Sequence, residues 1–114
     1  MLEATMVTRV VRVAKALADP NRVQILALLR EGRESSQLPC CGLAQPVEQR
    51  AICNCELQEI LRIPQSNVSY HIKALREAGL VRELPVGKWS YVAIDPAAYA
   101  LVDAFLGRSN VEGE

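Results

Sequence analysis

The stretch that most constrains this chain is residues 54–94, where two short helical patterns meet at a tight turn and the hydrophobic period then changes from helical to alternating. Cys55 to Leu61 predicts a short helix with Asn54 as its N-cap, and Ile63-Pro64 makes the turn that follows. Gln65 to Ala78 predicts a second helix, with Val68, Ile72 and Leu75 as its buried stripe and Gly79 closing it. Leu80 to Leu84 and Trp89 to Ile94 then read as two short strands separated by Pro85-Val86-Gly87-Lys88, a β-hairpin. Two helices about a short turn, with a hairpin directly behind them, describe a winged helix-turn-helix.

The flanking segments complete that plan. Val7, Val10, Val11, Ala14, Leu17 and Ala18 recur at helical spacing and predict an amphipathic first helix. Asp19-Pro20 supplies a cap and a first-turn proline for a second helix running to about Glu31, with Gly32 as its stop. Asp95-Pro96 repeats the device ahead of a last helix whose apolar face is Tyr99, Val102, Phe105 and Leu106. Residues 33–52, with Ser35-Ser36, Pro39, Gly42 and Pro46, read as a loop long enough to be a functional insertion. The expected architecture is mainly α with a small β-hairpin, one domain over residues 1–107 and a flexible tail over 108–114. No apolar run reaches the roughly 18 residues of a membrane span, and the first fifteen residues lack the pattern of a signal peptide. A cytoplasmic location is expected.

The formal net charge of zero is a cancellation between segments. Residues 62–88 hold Arg62, Lys73, Arg76, Arg82 and Lys88 against Glu77 and Glu83, whereas residues 31–61, which hold every cysteine, are acidic by the same margin. The outer face of the second helix of the helix-turn-helix carries Gln65, Ser66, Asn67, Ser69, Tyr70 and Lys73. Its amides, hydroxyls and phenol are groups that exchange hydrogen bonds with base edges. Arg76, Arg82 and Lys88 add a basic rim, and the hairpin tip is placed to reach a neighbouring groove or backbone. Double-stranded DNA is therefore the expected partner. The chain has one histidine, no nucleophile paired with a base and no Gly-rich phosphate loop, so an enzyme is not expected.

The stretches ALADPNRVQILALLREG, LRIPQSNVSYHIKALREAGLVRE and GKWSYVAID resemble the bacterial arsenic-repressor (ArsR/SmtB) family of metal-responsive transcriptional repressors. The resemblance spans about residues 8–106 apart from the loop at 33–51. It implies a homodimer built on the first and last helices, which binds operator DNA when metal-free and releases it on binding an inducer. It also implies base contacts at Gln65, Ser66, Ser69 and Tyr70, and wing contacts at Gly87-Lys88. His71 falls on the family's histidine-or-polar position and is read as a DNA-phosphate or helix-packing group, not a metal ligand.

All four cysteines lie within sixteen positions, Cys40-Cys41 and then Cys53-x-Cys55. In a chain without a signal peptide, disulfides are not the expected resting state, and clustered thiols suit a soft ion. Residues two apart on a helix point about 200° away from each other, so Cys53 and Cys55 converge only if Cys53 precedes or caps the helix. That helix end would also favour thiolate. Cys53-Asn54-Cys55-Glu56-Leu57 is similar to the C-x-C-[DE]-L of the arsenic- and cadmium-sensing branches. Where one type of arsenic repressor has a third cysteine this chain has Gln58, and residues 1–39 lack the N-terminal cysteines of the cadmium and lead sensors. Any further ligand therefore comes from Cys40 and Cys41. Three sulfurs suit As(III), and four suit Cd(II), Pb(II) or Zn(II). The last helix has no histidine, which disfavours the family's second type of zinc site. Other readings of the same cysteines are a thiol redox or persulfide switch and a structural zinc site.

Overall fold

The computed structural model describes residues 4–32 and 51–107. The expectations for the loop over 33–50 and for the tail from residue 108 lie outside the described residues. The elements are α1 (Ala4–Ala16), α2 (Pro20–Glu31), β1 (Ile52–Cys53), α3 (Asn54–Leu61), α4 (Gln65–Glu77), β2 (Val81–Val86), β3 (Trp89–Ile94) and α5 (Ala97–Leu106). This is the winged helix-turn-helix that the sequence predicts, with one further strand.

Both Asp-Pro pairs act as local start signals. Asp19 Oδ1 accepts from the Asn21 N–H at 2.8 Å, and Asp95 Oδ1 accepts from the Ala97 N–H at 3.0 Å. Each satisfies a first-turn donor that the helix itself leaves open, and the proline costs nothing because its own N–H would have had no partner. The cap of α3 differs from the expectation. Cys53, in extended conformation, is its N-cap, and Asn54 is the first helical residue. The shift arises because the Glu56 carboxylate reaches back to accept the Cys53 N–H at 3.3 Å, which closes the first turn from three residues downstream.

The hairpin is tighter than the four-residue connection expected. Val86 pairs with Trp89, leaving only Gly87-Lys88 between the strands. Gly87 has φ +61, the conformation that a two-residue II′ turn requires at its first central position. Pro85 is thereby drawn into β2, where it pairs with Ser90. The sheet order is β1-β3-β2, so β2 is an edge strand and tolerates a residue without an N–H.

The unexpected strand is β1, two residues that pair antiparallel with β3 in the register Ile52↔Val92 and Cys53↔Tyr91. Alternation along β3 then divides the interior in two. Val92, with Ile52 and Val81, joins the main core beside Ile25, Leu29, Leu57, Val68, Ile72 and Leu75. Tyr91 and Ala93 turn to the other side and form a smaller cluster with Cys53 and Ala51, against which Cys55, Leu84 and Trp89 pack. The cysteine pair thus sits on the outer side of the sheet, against the wing.

The outer helices correct the predicted apolar faces. In α1 the buried residues are Val13 and Ala16, while Val7 and Val11, and Leu17 just past its end, are 40–45 % exposed. In α5 the buried residue is Leu101, while Val102 and Leu106 are exposed. Each of these helices therefore carries one apolar face into its own core and another outward, and a periodic pattern does not say which is which.

Candidate functional site

The stripe of α4 that faces inward is Val68, Ile72 and Leu75, as expected. Its burial turns Gln65, Ser66, Asn67, Ser69, Tyr70 and Lys73 outward, all of them exposed. Pro64 is the N-cap and supplies no side-chain acceptor, so the N-terminal backbone donors of α4 face out beside Gln65 and Ser66. Tyr70 is 64 % exposed, prominent for an aromatic residue.

The basic rim is differentiated. Lys88 is exposed at the hairpin tip, with its ammonium 5.4 Å from the centroid of the Trp89 ring. Arg76 forms an ion pair with Glu83, which fixes the end of α4 to the wing strand β2. Arg82 is half-buried on the same strand. Of the predicted set, Lys73 and Lys88 present their charge outward, whereas Arg76 shares its charge with a carboxylate.

His71 is not part of the outer face. It is 6 % exposed, and its Nδ1 accepts from the Nε–H of Arg22 at 3.1 Å. Of the two roles expected for it, helix packing is the one its position supports. It tilts inward because it stands three residues after Val68, on the buried side of the helix. Acceptance at Nδ1 places the proton of the neutral ring on Nε2. The same Arg22 guanidinium lies 5.4 Å from the centroid of the Tyr70 ring, and Tyr70 meets His71 edge to face. Arg22, on α2, thus grips two consecutive residues of α4. Sequence reading missed it: 49 positions separate it from His71, and no local pattern links them.

At the β1–α3 junction the geometric condition for convergence is met. With Cys53 as N-cap, its Sγ lies 2.9 Å from the Cys55 Sγ. Cys53 is fully buried and is not part of a disulfide. Cys55 is disulfide-bonded, which corrects the expectation of thiols throughout. Cys55 lines a cleft of about 550 Å³ together with Gln58, Glu59 and Arg62. Gln58 borders that same cleft. Glu56 is only 3 % exposed, and its carboxylate is turned to the Cys53 N–H. Among the described residues no group of three or more His, Cys, Asp or Glu converges on one point. Cys40 and Cys41 lie outside the described residues.

Helix-turn-helix and wing together define the class: a winged helix-turn-helix protein, here with a pair of cysteines at the start of the first motif helix. Residues 45–83 match the family described as "Bacterial regulatory protein, arsR family". An arsenical resistance operon repressor from Bacillus subtilis is 35 % identical over 78 residues, covering 68 % of this chain and 57 % of that one. An HTH-type transcriptional regulator from Methanocaldococcus jannaschii is 30 % identical over 80 residues, covering 70 % of this chain and 71 % of that one. Among solved structures, a homodimeric winged helix-turn-helix DNA-binding domain from Mycobacterium bovis superposes with a TM-score of 0.65 at 25 % identity, covering 96 % of this chain and 84 % of that one. The chain belongs to the arsR family of bacterial regulatory proteins. It spans about three fifths of the length of the arsenic-resistance relatives that it matches.

Proposed function

We propose that the chain is a homodimeric, DNA-binding repressor whose operator affinity is lowered by a thiophilic ion, As(III) foremost, at the cysteines of the β1–α3 junction. The observation that carries the DNA-binding half is the outward face of α4, from Gln65 to Lys73, next to the Lys88 tip. A helix of that composition fits the major groove, and the hairpin reaches the adjacent backbone. The outward apolar residues of α1 and α5 support pairing of two copies through those helices. Two recognition helices would then address successive major grooves roughly 10 bp apart.

The sensing half rests on the cap. Cys53 and Cys55, joined by Cys40 or Cys41, would hold the ion, which supplies a soft Lewis acid matched to thiolates. Cys53 is at once the last residue of β1, paired with Tyr91 of the wing, and the N-cap of α3, which packs on α4. A change in the position of its sulfur therefore reaches the wing and the helix-turn-helix together. A ligand that favours the rearranged junction lowers DNA affinity by the same coupling factor, typically about 5- to 150-fold. The names of the arsenic-resistance relatives support As(III) over Cd(II), Pb(II) or Zn(II).

The test uses reduced protein and a fluorescent duplex selected by the protein from a random pool. As(III) should release the duplex from the wild type. Cys53→Ser should bind the duplex normally and ignore As(III). If As(III), Cd(II) and Pb(II) all leave affinity unchanged in reduced protein, the sensing mechanism is wrong. The disulfide at Cys55 favours a second reading, release by thiol oxidation alone. It predicts release by diamide without any ion, and a single specific bridge in the mass spectrum of the unreduced protein.

A further inference from the structure

We infer that the cleft between α1, α2 and α4 is a second phosphate-binding surface, which holds the DNA backbone on the opposite side of the recognition helix from the wing. The inference rests on the proposal that α4 enters the major groove. A helix in that groove has one sugar-phosphate backbone on each side. On one side Arg76 reaches Glu83 of β2, so the stripe through Ser69, Lys73 and Arg76 borders the wing. The neighbouring stripe, Tyr70, Ala74 and Glu77, lies about 100° round the helix. It borders a different surface. Arg22 covers Tyr70, and Ala74 and Glu77 line a cleft of about 540 Å³ with Arg12, Lys15, Ala16 and Arg22.

Among the described residues the charge in this cleft is not neutralised. Arg12, Lys15 and Arg22 face a single carboxylate, Glu77, and among the described residues none of the three forms an ion pair. Arg22 is preorganised: its Nε is fixed on His71 and its guanidinium carbon lies over the Tyr70 ring, which leaves the Nη donors for an outside acceptor. A cation held beside an exposed recognition tyrosine, with two more cations one helix away, fits an extended phosphate chain. The wing would hold one strand through Lys88, and this cleft the other.

The experiment measures anisotropy of a labelled 30-bp duplex of arbitrary sequence between 50 and 200 mM KCl, because binding to phosphates does not depend on sequence. The plot of log affinity against log salt flattens by about 0.9 for each phosphate that the protein no longer neutralises. Arg12→Gln/Lys15→Gln, two exposed positions whose replacement leaves the core intact, should flatten it by about 1.8 per engaged protomer. Across that salt range the wild type then loses about 12-fold more affinity per protomer than the variant. Glu77→Gln should act in the opposite direction and tighten binding. Lys88→Gln flattens the slope through the wing and serves as the positive control, and Arg30→Gln, a cation paired with Glu31, should change nothing. If Lys88→Gln flattens the slope while the α1 double variant and Glu77→Gln match the wild type, the cleft is a solvated face and the inference is overturned, with the DNA-binding proposal intact. If the wild type binds no duplex at all, that proposal fails first and this one with it.

Discussion

Replacing Arg22 by Met keeps an unbranched side chain of similar length but removes the donor to His71. The magnitude follows from the hydrogen bond and the ring it lies against. A buried acceptor deprived of its donor costs about 1–3 kcal/mol, and removing the cation over the Tyr70 ring adds about 0.5–1 kcal/mol at an exposed site. A net destabilisation of about 2 kcal/mol is expected, a fall in Tm of roughly 8 °C for a domain of this size. The informative assay is a double-mutant cycle with His71→Leu, by urea unfolding of reduced protein at one fixed protomer concentration. His71→Leu removes the acceptor, so Arg22→Met should cost little in that background, and the coupling energy should be about 1–2 kcal/mol. Circular dichroism checks that the helices remain. A coupling below about 0.3 kcal/mol would refute the claim that this pair clamps α4 to α2.

Three further outcomes are expected. Asp19→Ala removes the acceptor for the Asn21 N–H and should cost about 1 kcal/mol in urea unfolding, with DNA affinity falling only in step with the folded fraction. Gly79→Ala should cost about 1–2 kcal/mol, because Gly79 has φ +81 and open space around an added Cβ, so backbone conformation is the whole penalty; calorimetry reads it directly. In competition binding, Gln65→Ala should narrow the gap between selected and random duplex, whereas Lys88→Gln should weaken both equally.

Residues 54–94 were legible because each signal was local. Burial of Val68, Ile72 and Leu75 follows from spacing, and the position of the hairpin follows from Gly87. The rest required information that sequence neighbours do not carry. Two residues of β1 are too few to show alternation, so Ile52 read as the end of the loop. Val7 and Val11 look like core residues because one helix serves two apolar surroundings. Between Cys53 and Cys55 the outcome was a matter of geometry: the sulfurs meet because the helix begins after Cys53. The grip of Arg22 on α4 had no sequence signature, since it exists only once α2 and α4 are packed.

The two-residue strand has a mechanical consequence. Ile52 is fully buried opposite Val92, and Cys53, opposite Tyr91, stands one residue further along, about 3.4 Å away. Beyond it α3 runs eight residues, about 12 Å, to the turn that launches the recognition helix. A rigid α3 turning about Ile52 would magnify motion roughly 4.5-fold, so a shift of about 1 Å at the Cys53 backbone would become about 4.5 Å at that turn. The junction is geared.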